Sequence, residues 1–123
     1  MTSVKEVRDF LNKMGENRVR EDTVELMLRM AKIAVDNEKS SVANNDAVEA
    51  AVLSQAAWMS YLAYATEVER SVGEVPPSML IHLEELKMLA ERYMGYAKRG
   101  LAPSLSPLVA LSKSTSDIIE DLI

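Results

Sequence analysis

His82 is the only histidine of the 123 residues, and it stands in the run Ile81-His82-Leu83-Glu84-Glu85-Leu86-Lys87. A lone imidazole on a helix of a small bundle suggests one chemistry first, the carriage of a phosphoryl group. That task needs small neighbours and a Lys to make room for the phosphate. Two adjacent carboxylates follow His82 instead, and like charge repels a phosphoryl group. His82 therefore reads as a partly exposed helix histidine. No Glu-x-x-His pair occurs, so the ligand set of carboxylate metal sites in bundles is missing. One His and no Cys leave nucleophilic triads without their parts. No Gly-rich phosphate loop is present. The expectation is a protein with no catalytic residues, no metal and no cofactor.

Trp58, Tyr61 and Tyr64 could form a platform on which bases stack. They lie, however, inside the stretch from Ala50 to Thr66, which carries no Lys, Arg, Asp or Glu. Packing in a core or an interface suits them better. The eight methionines suit either a pliable binding surface or irregular gaps in a core.

These side chains must be held by helices. Apolar residues are 48% of the chain and charged residues 27%, the range of soluble globular domains. There are only four Gly and four Pro, and apart from Gly95 they fall between periodic segments. The absence of Cys excludes a disulfide framework and thiolate metal sites. A net charge of −5 makes a poor general binder of phosphate backbones. Charges within MTSVKEVRDF, where a signal peptide needs an apolar run, argue against secretion. The uncharged stretch is only about 17 residues long, at the short limit for a membrane span. It also contains Ser54, Gln55, Ser60 and Thr66. A buried helix is expected there, not a transmembrane one.

Four helices are expected. The first covers Val4 to Met14, with Ser3 and Glu6 at capping-box spacing and Val4, Val7, Leu11 and Met14 as its stripe. The second runs from Thr23 to Lys39, with Asp22 and Glu25 in the capping pattern. It has a core stripe of Val24, Met27, Leu28, Ala31, Ala34 and Val35. A second apolar stripe, Leu26, Met30 and Ile33, suggests a helix touched by more than one neighbour. The third, Ala47 to Ser71 with Asn45 or Asp46 as cap, is apolar all round in its middle and reads as the central helix. The fourth starts at Pro76-Pro77, where a missing amide is harmless. Its seam of Met79, Leu83, Leu86, Ala90, Tyr93 and Ala97 alternates spacings of four and three. The fold class is thus all-α, a four-helix bundle-like domain with a long central helix and an extended C-terminal tail. Its expected core includes Leu28, Leu53, Ala57, Trp58, Tyr61, Leu62, Leu83, Leu86 and Tyr93.

A helical domain over residues 1–100 and a tail over 101–123 are expected. The tail opens with LAPSLSP and closes with Asp117-Ile118-Ile119-Glu120-Asp121-Leu122-Ile123. It is too apolar for a solvated end and too interrupted by Pro and Ser for a core helix. A segment that orders on a partner has this composition; the alternative is a tail that folds back on its own bundle. Leu101, Leu105, Leu108, Val109, Leu111, Ile118, Ile119, Leu122 and Ile123 are the expected partner-binding residues.

In order, SVKEVRDFL, DTVELMLRMAKIAVDNE, NNDAVEAAVLSQAAWMSYLAYA and VPPSMLIHLEELKMLAERY resemble the helical head–tail connector, or adaptor, proteins of tailed bacterial and archaeal viruses. The resemblance spans Ser3 to Lys98. It is one of helix length, order and composition, without a diagnostic motif. It implies a structural virion protein, assembled in the host cytoplasm, that forms a ring, commonly of twelve copies, between the portal and the tail. Such a ring extends the DNA channel without specific binding to DNA. It holds the portal protein on one side and a downstream tail or stopper protein on the other. The resemblance also implies that the C-terminal segment reaches the portal or a neighbouring subunit, and that no membrane or enzymatic activity is involved. A clearly basic channel surface is missing from this sequence. The other reading is a stand-alone helical interaction module or dimeric regulator.

Overall fold

Ser3 opens the first helix by accepting a hydrogen bond from the Glu6 backbone N–H at 3.3 Å, which satisfies one of the orphan amides of the first turn. The computed structural model describes residues 2–103 and 106–107. Within them the chain forms α1 (Val4–Lys13), α2 (Glu21–Glu38), α3 (Asn45–Val72) and α4 (Pro77–Arg99), with no strand among the described residues. The protein is all-helical, and its helices pack as a small bundle.

Two caps differ from expectation. α2 begins two residues early, at Glu21, and its N-cap Arg20 makes no side-chain cap bond. Asp22 instead lies inside the first turn, where its charge meets the positive end of the helix dipole and its Oδ2 pairs with Arg20 at 2.8 Å. α3 is capped by Asn44, not Asn45 or Asp46. The Asn44 Oδ1 accepts from the backbone N–H groups of Asp46 at 2.9 Å and Ala47 at 3.2 Å. α3 therefore has 28 residues and runs about 42 Å. It ends at Gly73, whose left-handed φ of 94° lets its N–H reach Glu69 O.

α3 is the hub. It packs against α1, α2 and α4, while α2 meets α4 only lightly. Ala51, Ala56, Ala57, Ser54 and Ser60 of α3 are fully buried, so neighbouring backbones come close across minimal side chains. The Ser54 hydroxyl is satisfied by donating to Ala50 O at 2.7 Å. Around this small-residue spine the large side chains fill the remaining volume: Phe10 and Leu11 from α1, Val24, Leu28 and Val35 from α2, Tyr61 from α3, and Leu86, Leu89 and Tyr93 from α4. Phe10 and Leu89 belong to this core although they lie outside the stripes read from sequence.

Five of the expected core residues, Leu28, Ala57, Tyr61, Leu86 and Tyr93, are buried. Leu53, Trp58 and Leu83 are partly buried and pack against the core. Leu62 is a correction: it is 41% exposed. Three neighbours do not cover a cylinder, so an all-round apolar helix keeps an open sector, and Leu62 falls in it.

The connection between α2 and α3 is held on the end of α4. The Ser40 N–H donates to Ala97 O at 3.0 Å, and Lys98 Nζ sits 2.9 Å from Glu38 Oε2. Gly100, with φ 69°, closes α4 so tightly that an added Cβ would lie 3.3 Å from Val42 Cγ2.

After Gly100 the chain turns back to the bundle. Pro103 is partly buried and Pro107 buried, and both line a pocket with Thr2, Ala50 and Leu53. Leu101 is exposed. The other expected partner-binding residues, Leu105, Leu108, Val109, Leu111, Ile118, Ile119, Leu122 and Ile123, lie outside the described residues. Among the described residues, no helix is long and apolar enough to cross a membrane.

Candidate interaction surface

Two features stand out from the ordinary solvated surface: a polar cluster around Tyr61 and an open apolar groove between α2 and α3.

The polar cluster starts in the loop between α1 and α2. Glu16 is buried there and pairs with Arg18 Nε at 3.2 Å. The Tyr61 hydroxyl, from α3, lies near Glu16 and feels its charge. Arg18 lies 5.5 Å over the Tyr64 ring, a cation–π arrangement. The Tyr61 ring is also 6.1 Å from the imidazole of His82. Sequence reading found no Lys or Arg beside these aromatics, because the cation comes from a loop more than forty positions away. The groups saturate one another, so the cluster acts as a clamp fixing the loop to α3 and offers no free nucleophile. Burial pushes the Tyr61 phenol from 10.0 up to about 12, and the nearby Glu16 charge adds to the shift. Folding thus favours the protonated phenol. As pH rises past 10.0 the unfolded chain loses this proton while the folded chain keeps it, so stability falls between there and about 12. Chemical denaturation at a series of alkaline pH values should show this decline, and Tyr61→Phe should remove the part that Tyr61 contributes.

His82 is partly buried on α4 and Glu84 is exposed. Glu85 is partly buried too. Its carboxyl is raised by that burial and lowered in part by His82. Among the described residues no group of three His, Cys, Asp or Glu could hold a metal ion.

The groove is the larger feature. Met27 and Met30 of α2 and Gln55, Trp58, Met59, Leu62, Ala63 and Thr66 of α3 line an open hollow of about 430 Å³. Its walls hold three methionines and the single tryptophan, but no charged side chain. Along α3 the positions 55, 59, 62 and 66 repeat by four and three, so they share one helix face. On α2 the stripe Leu26, Met30 and Ile33 does the same. These residues are largely open to solvent: Leu26 50%, Met30 46%, Ile33 58% and Leu62 41%. α2 touches α1 and α4 as well as α3, as its two stripes suggested, but among the described residues the second stripe itself stays exposed. Open apolar side chains gathered beside an uncharged hollow are the kind of surface at which protein chains meet. Methionine lets such walls adapt to the shape that enters.

No protein-family model, curated protein or solved structure matches this chain. The functional reading therefore rests on the geometry and on the sequence pattern.

The sequence signalled half of this groove. The stripe on α2 was visible as surplus apolar periodicity. The α3 wall is hidden in the sequence, where Leu62 and Trp58 read as core and no local pattern joins Gln55 and Met59 to them. Only the positions of α2 and α4 around α3 decide which sector stays open. A consequence concerns Trp58. It is partly buried, so Trp58→Ala should cost less than the ~3–5 kcal/mol of a fully buried aromatic. Urea denaturation of the isolated protein should show a loss of about 1–2 kcal/mol, on the basis of partial area burial.

Proposed function

We propose that this chain is a non-catalytic assembly subunit that joins other protein chains through the face formed by α2 and α3. The observation that carries this reading is the uncharged, methionine-rich groove with Leu26, Met30, Ile33 and Leu62 standing open beside it. The polar cluster agrees with it, since the one buried carboxylate among the described residues, Glu16, is paired with Arg18.

The assembly we propose is the head–tail connector ring of a tailed virus, seated between portal and tail and enclosing the DNA channel. The order and lengths of the four helices support that choice through the resemblance drawn from the sequence. The partners are then further copies of the chain, the portal protein, and a downstream tail or stopper protein. The virion is the location.

Multi-angle light scattering of the pure protein, alone and with a purified portal ring, tests the reading. The expected result is self-association at high concentration and a ring-stoichiometric complex with the portal. A small dimer that ignores the portal would make the protein a stand-alone dimeric regulator instead, and would overturn the connector reading.

A further inference from the structure

A thioether is a metal donor of its own kind. The carboxylates, the imidazole and the absent thiolates give no three-donor group among the described residues. The eight methionines remain, and their sulfur is neutral, soft and polarisable. Three of them, Met27 and Met30 of α2 and Met59 of α3, line one and the same hollow. Met27 and Met30 are three positions apart in the chain, so their side chains rise as neighbours from one face of α2. Met59 comes from the α3 wall, and Trp58, the residue before it, lines the hollow as well.

We infer that Met27, Met30 and Met59 form a binding site for a soft monovalent cation, copper(I), with the Trp58 indole beside it. The inference goes beyond the assembly reading and does not depend on it, since every donor belongs to a single copy of the chain.

The walls select the ion. No charged side chain lines the hollow, so the donors compensate none of the charge that enters. A hard or divalent ion would give up hydration for neutral ligands that hold it weakly, and desolvating an unpaired charge is costly. Copper(I) carries a single charge and prefers thioether sulfur. The indole adds to this preference, because tryptophan is the aromatic side chain that attracts cations most strongly. The space suits three converging thioethers. The hollow measures about 430 Å³, and the three rotatable bonds of each methionine let its sulfur turn inward. Met30 is 46% exposed, so an ion enters from solvent without displacing a helix. Met79, which is buried, and Met88, which is exposed on α4, lie elsewhere. His82 is also elsewhere, on α4 with its ring 6.1 Å from that of Tyr61.

The test uses the full chain and silver(I), which shares the charge and softness of copper(I) and keeps its oxidation state. Silver nitrate is titrated into the protein in chloride-free buffer, with calorimetry giving the stoichiometry and Trp58 fluorescence reporting the hollow. Wild type should bind one ion with quenching of Trp58, and magnesium or zinc should leave the fluorescence unchanged. Met27→Leu and Met59→Leu should each weaken binding by roughly tenfold or more, the scale on which metal sites lose affinity when a supporting group is removed. The triple variant, with Met30→Leu added, should show no quenching. Leucine nearly matches methionine in volume, and circular dichroism should report an unchanged fold. Met88→Leu and His82→Gln should bind as wild type does. Copper(I), delivered from a chromophoric chelator, should follow the same order of variants. Undiminished silver binding by the triple variant, its loss in His82→Gln, binding without a response from Trp58, or no binding at all overturns the site.

Discussion

Replacing Tyr61 by Ala should destabilise the protein by about 3–5 kcal/mol, the usual cost of removing a buried aromatic side chain, while Leu62→Ala, one position along, should cost less than ~1 kcal/mol. Tyr61 is fully buried at the centre of α3. Its ring fills space next to Tyr64 and His82, at 6.3 Å and 6.1 Å between centroids. Its hydroxyl also lies near the buried Glu16. Truncation leaves a cavity beside that carboxylate. For a chain of this size the melting temperature should drop on the order of 10–20 °C. Leu62 lies in the open sector and loses mainly exposed surface. Thermal melts of the two variants measured side by side decide the matter. Equal losses would mean that the open sector is closed.

Ala57→Leu should also be severely destabilising, by about 1–3 kcal/mol or more. Ala57 is fully buried on α3. It belongs, with Ala51, Ala56, Ser54 and Ser60, to the small-residue spine on which the neighbouring helices rest. Three added carbon atoms at that position push a neighbouring backbone outward, and a backbone moves as a whole helix. The expected signs are a lower denaturation midpoint and weaker near-ultraviolet circular dichroism with helicity retained, the mark of lost specific packing. Ala63→Leu, at the edge of the groove, should be tolerated. A neutral Ala57→Leu would mean that the helices around α3 stand further apart than described.

Much of the fold was legible before any coordinates. Helix positions followed from apolar periodicity and from Gly and Pro punctuation, and they agree with the structure to within two residues at each end. The seam of α4 reads off as a run of fours and threes, and all of it but Leu83 is buried. The caps were less legible. Asn44, Asn45 and Asp46 are consecutive and all suit a cap, and sequence alone does not decide among them. The interaction surface was least legible for a physical reason. Apolarity tells which residues prefer burial, whereas exposure depends on where three other helices sit around α3. Leu62 and Ala57 look alike in composition and end in opposite environments. Likewise the Arg18–Tyr64 contact joins a loop to a distant helix, and no local pattern encodes it.

The central claim is that the α2–α3 groove is where another chain binds, and Trp58 tests it directly. It is the only tryptophan in the chain, and it forms part of the groove wall while remaining partly open to solvent. Its fluorescence, followed as protein concentration rises alongside the mass from light scattering, should shift to shorter wavelength with the same midpoint as assembly, because the occupant displaces water from the indole. Growth in mass with an unchanged Trp58 spectrum would place the interface elsewhere and contradict the account.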